Sequence, residues 1–192
     1  MNNRIVLGIT GASGALYGVR ALTALRELGV ETHLIVSKAA ELTLAEETGL
    51  TSADLALLAH TRYRNGDVGA AIASGSFKTR GMLIAPCSMK TLSEIAYGHA
   101  GSLMTRAADV MLKERRRLVL APRETPLHLG HLLAMTRATR IGAIMAPPSP
   151  AFYAKPMTID DLVDQTVGRW LDLFDLDWPR TRRWGEDVGT KP

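Results

Sequence analysis

The stretch Arg4-Ile-Val-Leu-Gly-Ile9-Thr-Gly11-Ala-Ser13-Gly14-Ala15 decides how the rest of the chain reads. Its first half is a short apolar run rich in β-branched residues, the pattern of a strand buried on both faces. A glycine turn follows, and from Ala15 to Glu27 the apolar residues recur at helical spacing. The same change of period returns at Glu31–Val36 then Ala39–Thr48, and at Gly81–Ala85 then Thr91–Ala96, with further strands expected at Leu118–Ala121 and Ala143–Ala146. This alternation predicts βαβ units and an α/β fold, a doubly wound, mostly parallel sheet of five or six strands with helices on both faces. Residues 51–80 read as a helix from an N-cap at Ser52 through Leu58, then a loop over Ala70–Ser76 whose small polar end suits the neighbourhood of a ligand. Thr158-Ile-Asp-Asp161 reads as a capping box opening a last helix. Arg169 falls about 20° from Leu162 on that helix, at the edge of its apolar stripe. It is either a snorkelling arginine or an anion ligand.

Composition narrows the class. With 192 residues, 46% apolar and 22% charged, the chain fits one domain over residues 1–192, its segment from about 178 expected as an extended or mobile tail. The single cysteine, Cys87, excludes an internal disulfide and fits a reducing, cytoplasmic setting; with no acid or histidine beside it, it reads as a buried filler. The first apolar stretch breaks at Thr10-Gly11, short of a signal peptide or a membrane span, so neither export nor membrane insertion is expected. The net charge of +4 comes with two dense basic runs, Lys113–Arg117 and Arg180–Arg183, without interleaved aromatics, which argues against nucleic-acid binding.

The chemistry-bearing residues sit where strands end. Gly11-Ala12-Ser13 follows the first strand and precedes a helix, a place where main-chain N–H groups meet an anion. The glycine spacing fits neither the dinucleotide fingerprint nor a phosphate loop with G-K-[ST], and the second strand ends in Ser37-Lys38 where a nicotinamide fold would want an acid. A mononucleotide such as FMN needs no such acid, and Ser13 and Ser37 suit its ribityl chain and phosphate. Pro86-Cys87-Ser88-Met89-Lys90-Thr91 offers a second strand-to-helix turn, and Pro122-Arg123-Glu124-Thr125-Pro126 closes a later strand with a cation beside a carboxylate. Arg106, Asp109 and Lys113 recur at i, i+3 and i+7 on one helix face. His128 and His131 lack a third ligand at metal-binding spacing, and packing or a subunit contact is expected of them. The run from Leu127 to Met135 is apolar nearly all round, as a helix buried between subunits would be.

Eight motifs in fixed order, among them Gly11-Ala-Ser-Gly14, Val36-Ser-Lys-Ala-Ala40, Ala73-Ser-Gly-Ser-Phe77, Pro86-Cys-Ser-Met-Lys-Thr91, Leu112-Lys-Glu-Arg115, Pro122-Arg-Glu-Thr-Pro126 and Pro150-Ala-Phe-Tyr153, closely resemble the UbiX/Pad-type flavin prenyltransferase family from about residue 4 to Gly185. The resemblance implies a Rossmann-like flavoprotein fold, a homododecamer, and transfer of a dimethylallyl group from dimethylallyl phosphate to N5 and then C6 of reduced FMN. The product would serve a UbiD-type decarboxylase, in ubiquinone biosynthesis or in phenolic acid breakdown. It places FMN against Gly11, Ala12, Ser13, Ser37, Ser88, Met89, Lys90, Thr91 and Arg123. It places the prenyl phosphate against Tyr153 and Arg169, with Arg106 and Lys113 lining the same pocket, partly from neighbouring subunits, and Trp184 near it. Glu47 and Glu124 match the acid-base glutamates, with Ser13 and Lys113 also in the catalytic set. No metal is implied. The residue types suit the chemistry: an allylic cation forming as phosphate departs wants cations on the phosphate and π-faces beside the carbon skeleton. Two alternatives stand beside this reading. A flavin-dependent cysteine-type decarboxylase would carry a Pro-x-Met-Asn signature, which does not occur here, and a non-catalytic FMN-binding subunit would lose the Arg, Lys and Glu set.

Overall fold

The computed structural model describes residues 3–190. Six strands form one sheet: β1 (Arg4–Ile9), β2 (Glu31–Val36), β3 (Thr61–Arg64), β4 (Gly81–Cys87), β5 (Arg117–Pro122) and β6 (Ile144–Met145). Their order is β3-β2-β1-β4-β5-β6, and every pairing is parallel. The helices are α1 (Ala15–Glu27), α2 (Lys38–Thr48), α3 (Ser52–Ala56), α4 (Met89–Ala96), α5 (Leu103–Lys113), α6 (Leu129–Arg140) and α7 (Ile159–Asp172). This is the expected doubly wound α/β architecture.

The strands' period of two sorts the core into two layers. Ile5, Leu7, Ile9, Leu83, Ala85, Val119 and Ala121 face a cluster built from α1, α2 and α7, whereas Val6, Met82, Ile84, Leu118 and Leu120 face one built from α4, α5 and α6. Two glycines let helices approach the sheet closely. A Cβ on Gly18 of α1 would meet the Ala85 carbonyl oxygen at 2.6 Å, and one on Gly8 of β1 would meet the Met104 sulfur of α5 at 2.3 Å. Small residues here set the depth at which α1 and α5 sit.

Four expectations change in detail. Residues 61–64, for which the sequence predicts no element, form β3; Arg62 and Arg64 project outward from an edge strand, so no apolar run marks it. The N-cap of α3 is Thr51, with Asp54 completing a capping box, and Ser52 is the first helical residue; the helix ends at Ala56 rather than Leu58. Within one chain the loop over residues 70–76 lines no part of the cavity at the carboxyl ends of the strands. Arg116, beside the start of β5, donates to the carbonyls of Gly75 and Phe77, which fastens the loop next to Lys113 at the end of α5. The segment from Trp178, expected as an extended or mobile tail, runs without long regular elements but is packed: Trp178 is 1% exposed and donates its indole N–H to Glu27 at 2.8 Å. Arg183 forks onto Asp172 at 2.8 and 3.1 Å and reaches Asp177 at 2.6 Å. Asp161 accepts from the Thr158 N–H at 2.9 Å while its own N–H donates to the Thr158 hydroxyl, the capping box expected for α7.

Candidate active site

The order of strands reverses between β1 and β4, and ligands in open α/β sheets bind outside the carboxyl ends of the strands at such a point. Thr10 joins the two turns there. Its hydroxyl donates to the Pro86 carbonyl at 2.7 Å and accepts the Ser88 N–H at 2.7 Å. Gly11 follows directly, and a Cβ on it would meet that of Ala39 at 2.4 Å, so only glycine lets β1's turn lie against the start of α2. Gly14 then adopts φ 103° at the N-cap of α1.

These turns open onto a cavity of about 560 Å³ lined by Gly11, Ser37, Ser88, Lys90 and Thr91, together with Lys38, Asn65, Ser102 and Met104 among others. Five residues expected at FMN therefore converge. Ser37 and Ser88 are the N-caps of α2 and α4, accepting from the N–H groups of Ala40 at 3.2 Å and Thr91 at 3.3 Å. With two helix N-termini facing one cavity, the position favours an anion. Ala12 and Ser13 continue the loop beside Gly11, with Ser13 exposed. Met89 is 7% exposed and packs into the core beneath α4. Arg123 is exposed just past β5, its N–H donating to the Cys87 carbonyl at 3.2 Å. Its charge acts on Tyr17, whose hydroxyl pKa is nevertheless raised, chiefly by burial against the hydrogen bond from Thr166. Asn65 and Ser102, which sequence reasoning missed, belong to one device: Asn65 accepts the N–H of Met104 on its side chain and that of Leu103 on its carbonyl, while Ser102 caps α5.

Glu47, expected to handle protons, lies at the same edge. Its carboxylate accepts the Gly14 N–H at 2.8 Å and the Ala15 N–H at 2.7 Å, doing for α1 what no N-cap side chain does. Glu124 is exposed and accepts the N–H of Thr125 at 3.0 Å.

Tyr153, Arg169 and Trp184 come from three different segments and meet at a second cavity of about 380 Å³, shared with Arg182, Arg183 and Glu186. The rings of Tyr153 and Trp184 meet edge to face, 5.5 Å between centroids and 89° between planes. Arg169 points to solvent, paired with Asp172, which also holds Arg183. Arg106 and Lys113 do not reach this cavity within one chain. Arg106 pairs with Asp109 at 3.5 Å and Lys113 with Glu114 at 2.5 Å, and Lys113 lines a different cavity between α4, α5 and α6.

The remaining candidates resolve simply. Cys87 is fully buried and burial pushes its thiol far up, which removes it as a nucleophile. The His128 imidazole accepts the Gly130 N–H at 3.0 Å as the N-cap of α6, with the His131 ring 3.6 Å away. Among the described residues no group of three or more His, Cys, Asp or Glu could hold a metal ion, and no helix is long and apolar enough to cross a membrane.

The family model described as Flavoprotein matches residues 1–171. The flavin prenyltransferase UbiX of Thauera aromatica is 56% identical over 181 residues, covering 94% of this chain and 93% of that protein. The chain belongs to the UbiX family of flavin prenyltransferases. A crystal structure of AnUbiX (PadA1) in complex with FMN and dimethylallyl pyrophosphate superimposes with a TM-score of 0.94 at 52% identity, covering 96% of this chain and 98% of that one. The dodecameric FMN-dependent UbiX-like decarboxylase of Escherichia coli O157:H7 superimposes with a TM-score of 0.92 at 51% identity, over 94% and 98% of the two chains. The flavin prenyltransferase assignment thus agrees with the fold.

Proposed function

We propose that this flavin prenyltransferase joins the dimethylallyl group of dimethylallyl phosphate to N5 and C6 of reduced FMN, with release of inorganic phosphate. The observation that carries the reading is the meeting of Tyr153, Arg169 and Trp184 at one cavity, in a chain whose Gly11, Ser37, Ser88, Lys90 and Thr91 line another at the switch point of the sheet.

The flavin cavity fits its ligand by donor type. Ser37 and Ser88 offer hydroxyls at two helix N-termini, Lys90 adds a cation, and the absent side chain of Gly11 leaves room for close approach of the main chain. Reduced FMN supplies the nucleophilic positions when bound. Arg169 holds the phosphate of the prenyl donor and stabilises the charge that gathers on it as the C–O bond breaks. The Tyr153 and Trp184 rings face the carbon skeleton, where a π-surface stabilises the allylic cation. Arg106 and Lys113 act in the same site from a neighbouring copy, which accounts for their distance from Tyr153 within one chain. Closing the ring requires a proton delivered to the prenyl double bond as its other carbon bonds to C6, and removal of the proton that C6 then loses; Glu47, Glu124 and the released phosphate carry these transfers, with Ser13 beside Glu47's anchoring point.

The assembly is a homo-oligomer, supported by α6, which exposes Leu129, Leu132 and Leu133 on one chain. We place the protein in the cytoplasm and its product in a UbiD-type decarboxylase. Anaerobic incubation of the FMN-loaded protein with a reductant and dimethylallyl phosphate tests the chemistry. Phosphate release stoichiometric with flavin is expected; release that does not depend on reduced flavin would overturn it.

A further inference from the structure

The second basic run, Arg180–Arg183, is divided by its partners. Arg180 lies 2.9 Å from Glu27 and 3.6 Å from Asp164, and Arg183 is held by Asp172 and Asp177. Arg182 has no carboxylate within 4 Å among the described residues. Its charge lowers Asp161 only from farther off, and that carboxylate is already committed to the Met157 and Thr158 N–H groups, which are the stronger causes of its lowering. Glu186 shares the cavity rim without pairing to it.

Arg182 is nonetheless held firmly. Gln165, 3% exposed, accepts the Arg182 N–H at 2.9 Å and donates to the Arg182 carbonyl at 2.9 Å, so one buried amide grips both main-chain groups. The guanidinium donates to the carbonyl of Ala154, the residue after Tyr153, at 2.9 Å. That bond uses one of five N–H donors; Arg182 lines both the cavity of Tyr153 and Arg169 and a neighbouring one that holds Asp161 and Asp164, and is in salt-bridge contact with neither acid. Arg169, by contrast, shares Asp172 with Arg183. A rigid cation without an acid, at a cavity whose other arginines are paired, is preorganised for an anion.

We infer that Arg182 is a further phosphate ligand of the Tyr153 cavity and that Gln165 is its positioning residue. The inference rests on the reading that this cavity takes the prenyl phosphate. It makes Arg182 the group that meets the incoming dianion, with Arg169 joining as Asp172 is left to Arg183.

Calorimetric titration of dimethylallyl phosphate into the protein loaded with oxidised FMN measures binding without turnover. Arg182→Gln is expected to weaken binding about tenfold or more, in line with loss of a charge-assisted hydrogen bond, while Arg182→Lys stays within about threefold of wild type. Both variants can still donate to the Ala154 carbonyl, so a purely structural role predicts that they behave alike, and equal affinities for the two would overturn the inference. Gln165→Met, which frees the Arg182 main chain, is expected to weaken binding in the Arg182 protein and to have little further effect in Arg182→Gln; additive losses would contradict the positioning role. Arg169→Ala, titrated in parallel, separates the two levels. Unchanged binding there overturns the placement of the prenyl phosphate, whereas a loss in Arg169→Ala with none in Arg182→Gln overturns the role of Arg182 alone.

Discussion

The Thr10 hydroxyl accepts the N–H of Ser88 at 2.7 Å, and through this contact the turn after β1 and the turn after β4 are held as one surface. The two residues are far apart in sequence, and the hydroxyl's second bond, to the Pro86 carbonyl, fixes its rotor so that the oxygen lone pair faces Ser88. Thr10 is 1% exposed, so water cannot replace it. Thr10→Val keeps the shape, leaves the Ser88 N–H and Pro86 carbonyl without this partner, and should cost about 1–3 kcal/mol of stability. FMN retention should fall with it, because Gly11 and Ser88 lose their fixed relation. Denaturant midpoints and ultrafiltration of flavin check both; a variant with wild-type stability and retention would show that the junction is set elsewhere.

Glu47 offers a separation of roles. Its carboxylate accepts the Gly14 and Ala15 N–H groups, so Glu47→Ala removes the cap of α1 and should cost about 0.5–2 kcal/mol. Glu47→Gln keeps an acceptor oxygen for those groups but gives up proton transfer, and should leave most stability in place while slowing prenylation on the order of a hundredfold. Thermal melts beside single-turnover rates distinguish the two; a Gln variant that turns over at the wild-type rate would reduce Glu47 to a cap.

How much of this was legible beforehand depends on the reach of each interaction. β1 and β4 announce themselves by apolar runs, because strands buried on both faces have no polar side to show, and β2 does so through Leu34-Ile-Val36. β3 does not, since Thr61-Arg-Tyr-Arg64 sits at the sheet's edge and presents arginines to water. Gly11, Ser37 and Ser88 were readable as a set because each stands at a strand end, a local signal. The grip of Gln165 on Arg182 and of Glu47 on α1 carries no local signature, because each joins elements that meet only after folding. Arg182 therefore read as part of an undivided basic run.

A titrating group outside the site gives the fold a pH signature. His33 is 3% exposed, with Nε2 3.0 Å from Glu31, Nδ1 3.0 Å from the Tyr63 hydroxyl, and Arg4, His60 and Phe77 around it. Burial lowers its pKa despite Glu31. A histidine lowered in the folded state binds fewer protons there than in the unfolded chain, so stability is full above its unfolded value near about 6.5 and declines as pH falls toward the folded value. The slope should not exceed about 1.4 kcal/mol per pH unit from this group. Denaturation midpoints followed downward from neutral pH should show the decline, and His33→Gln should flatten it; an unaltered slope would assign the effect to another group.

The apolar face of α6 makes a prediction about mass. Leu132 and Leu133 are 47% and 54% exposed on one chain, a patch that a neighbouring copy would cover. Light scattering should give a large multiple of 20.8 kDa, and Leu132→Glu with Leu133→Glu should lower it. Activity should fall together with mass, since the proposed site draws Arg106 and Lys113 from a neighbouring copy. A wild-type mass near one subunit would contradict the shared site.

On the proposed reading, this chain builds a carbon skeleton onto a flavin. Mass spectrometry of the flavin released after anaerobic incubation with reduced FMN and dimethylallyl phosphate tests it most directly. A flavin heavier than FMN by one isoprene unit is expected, formed only when protein and prenyl phosphate are both present. Recovery of unmodified FMN alone, from protein shown to have bound both ligands, would contradict it.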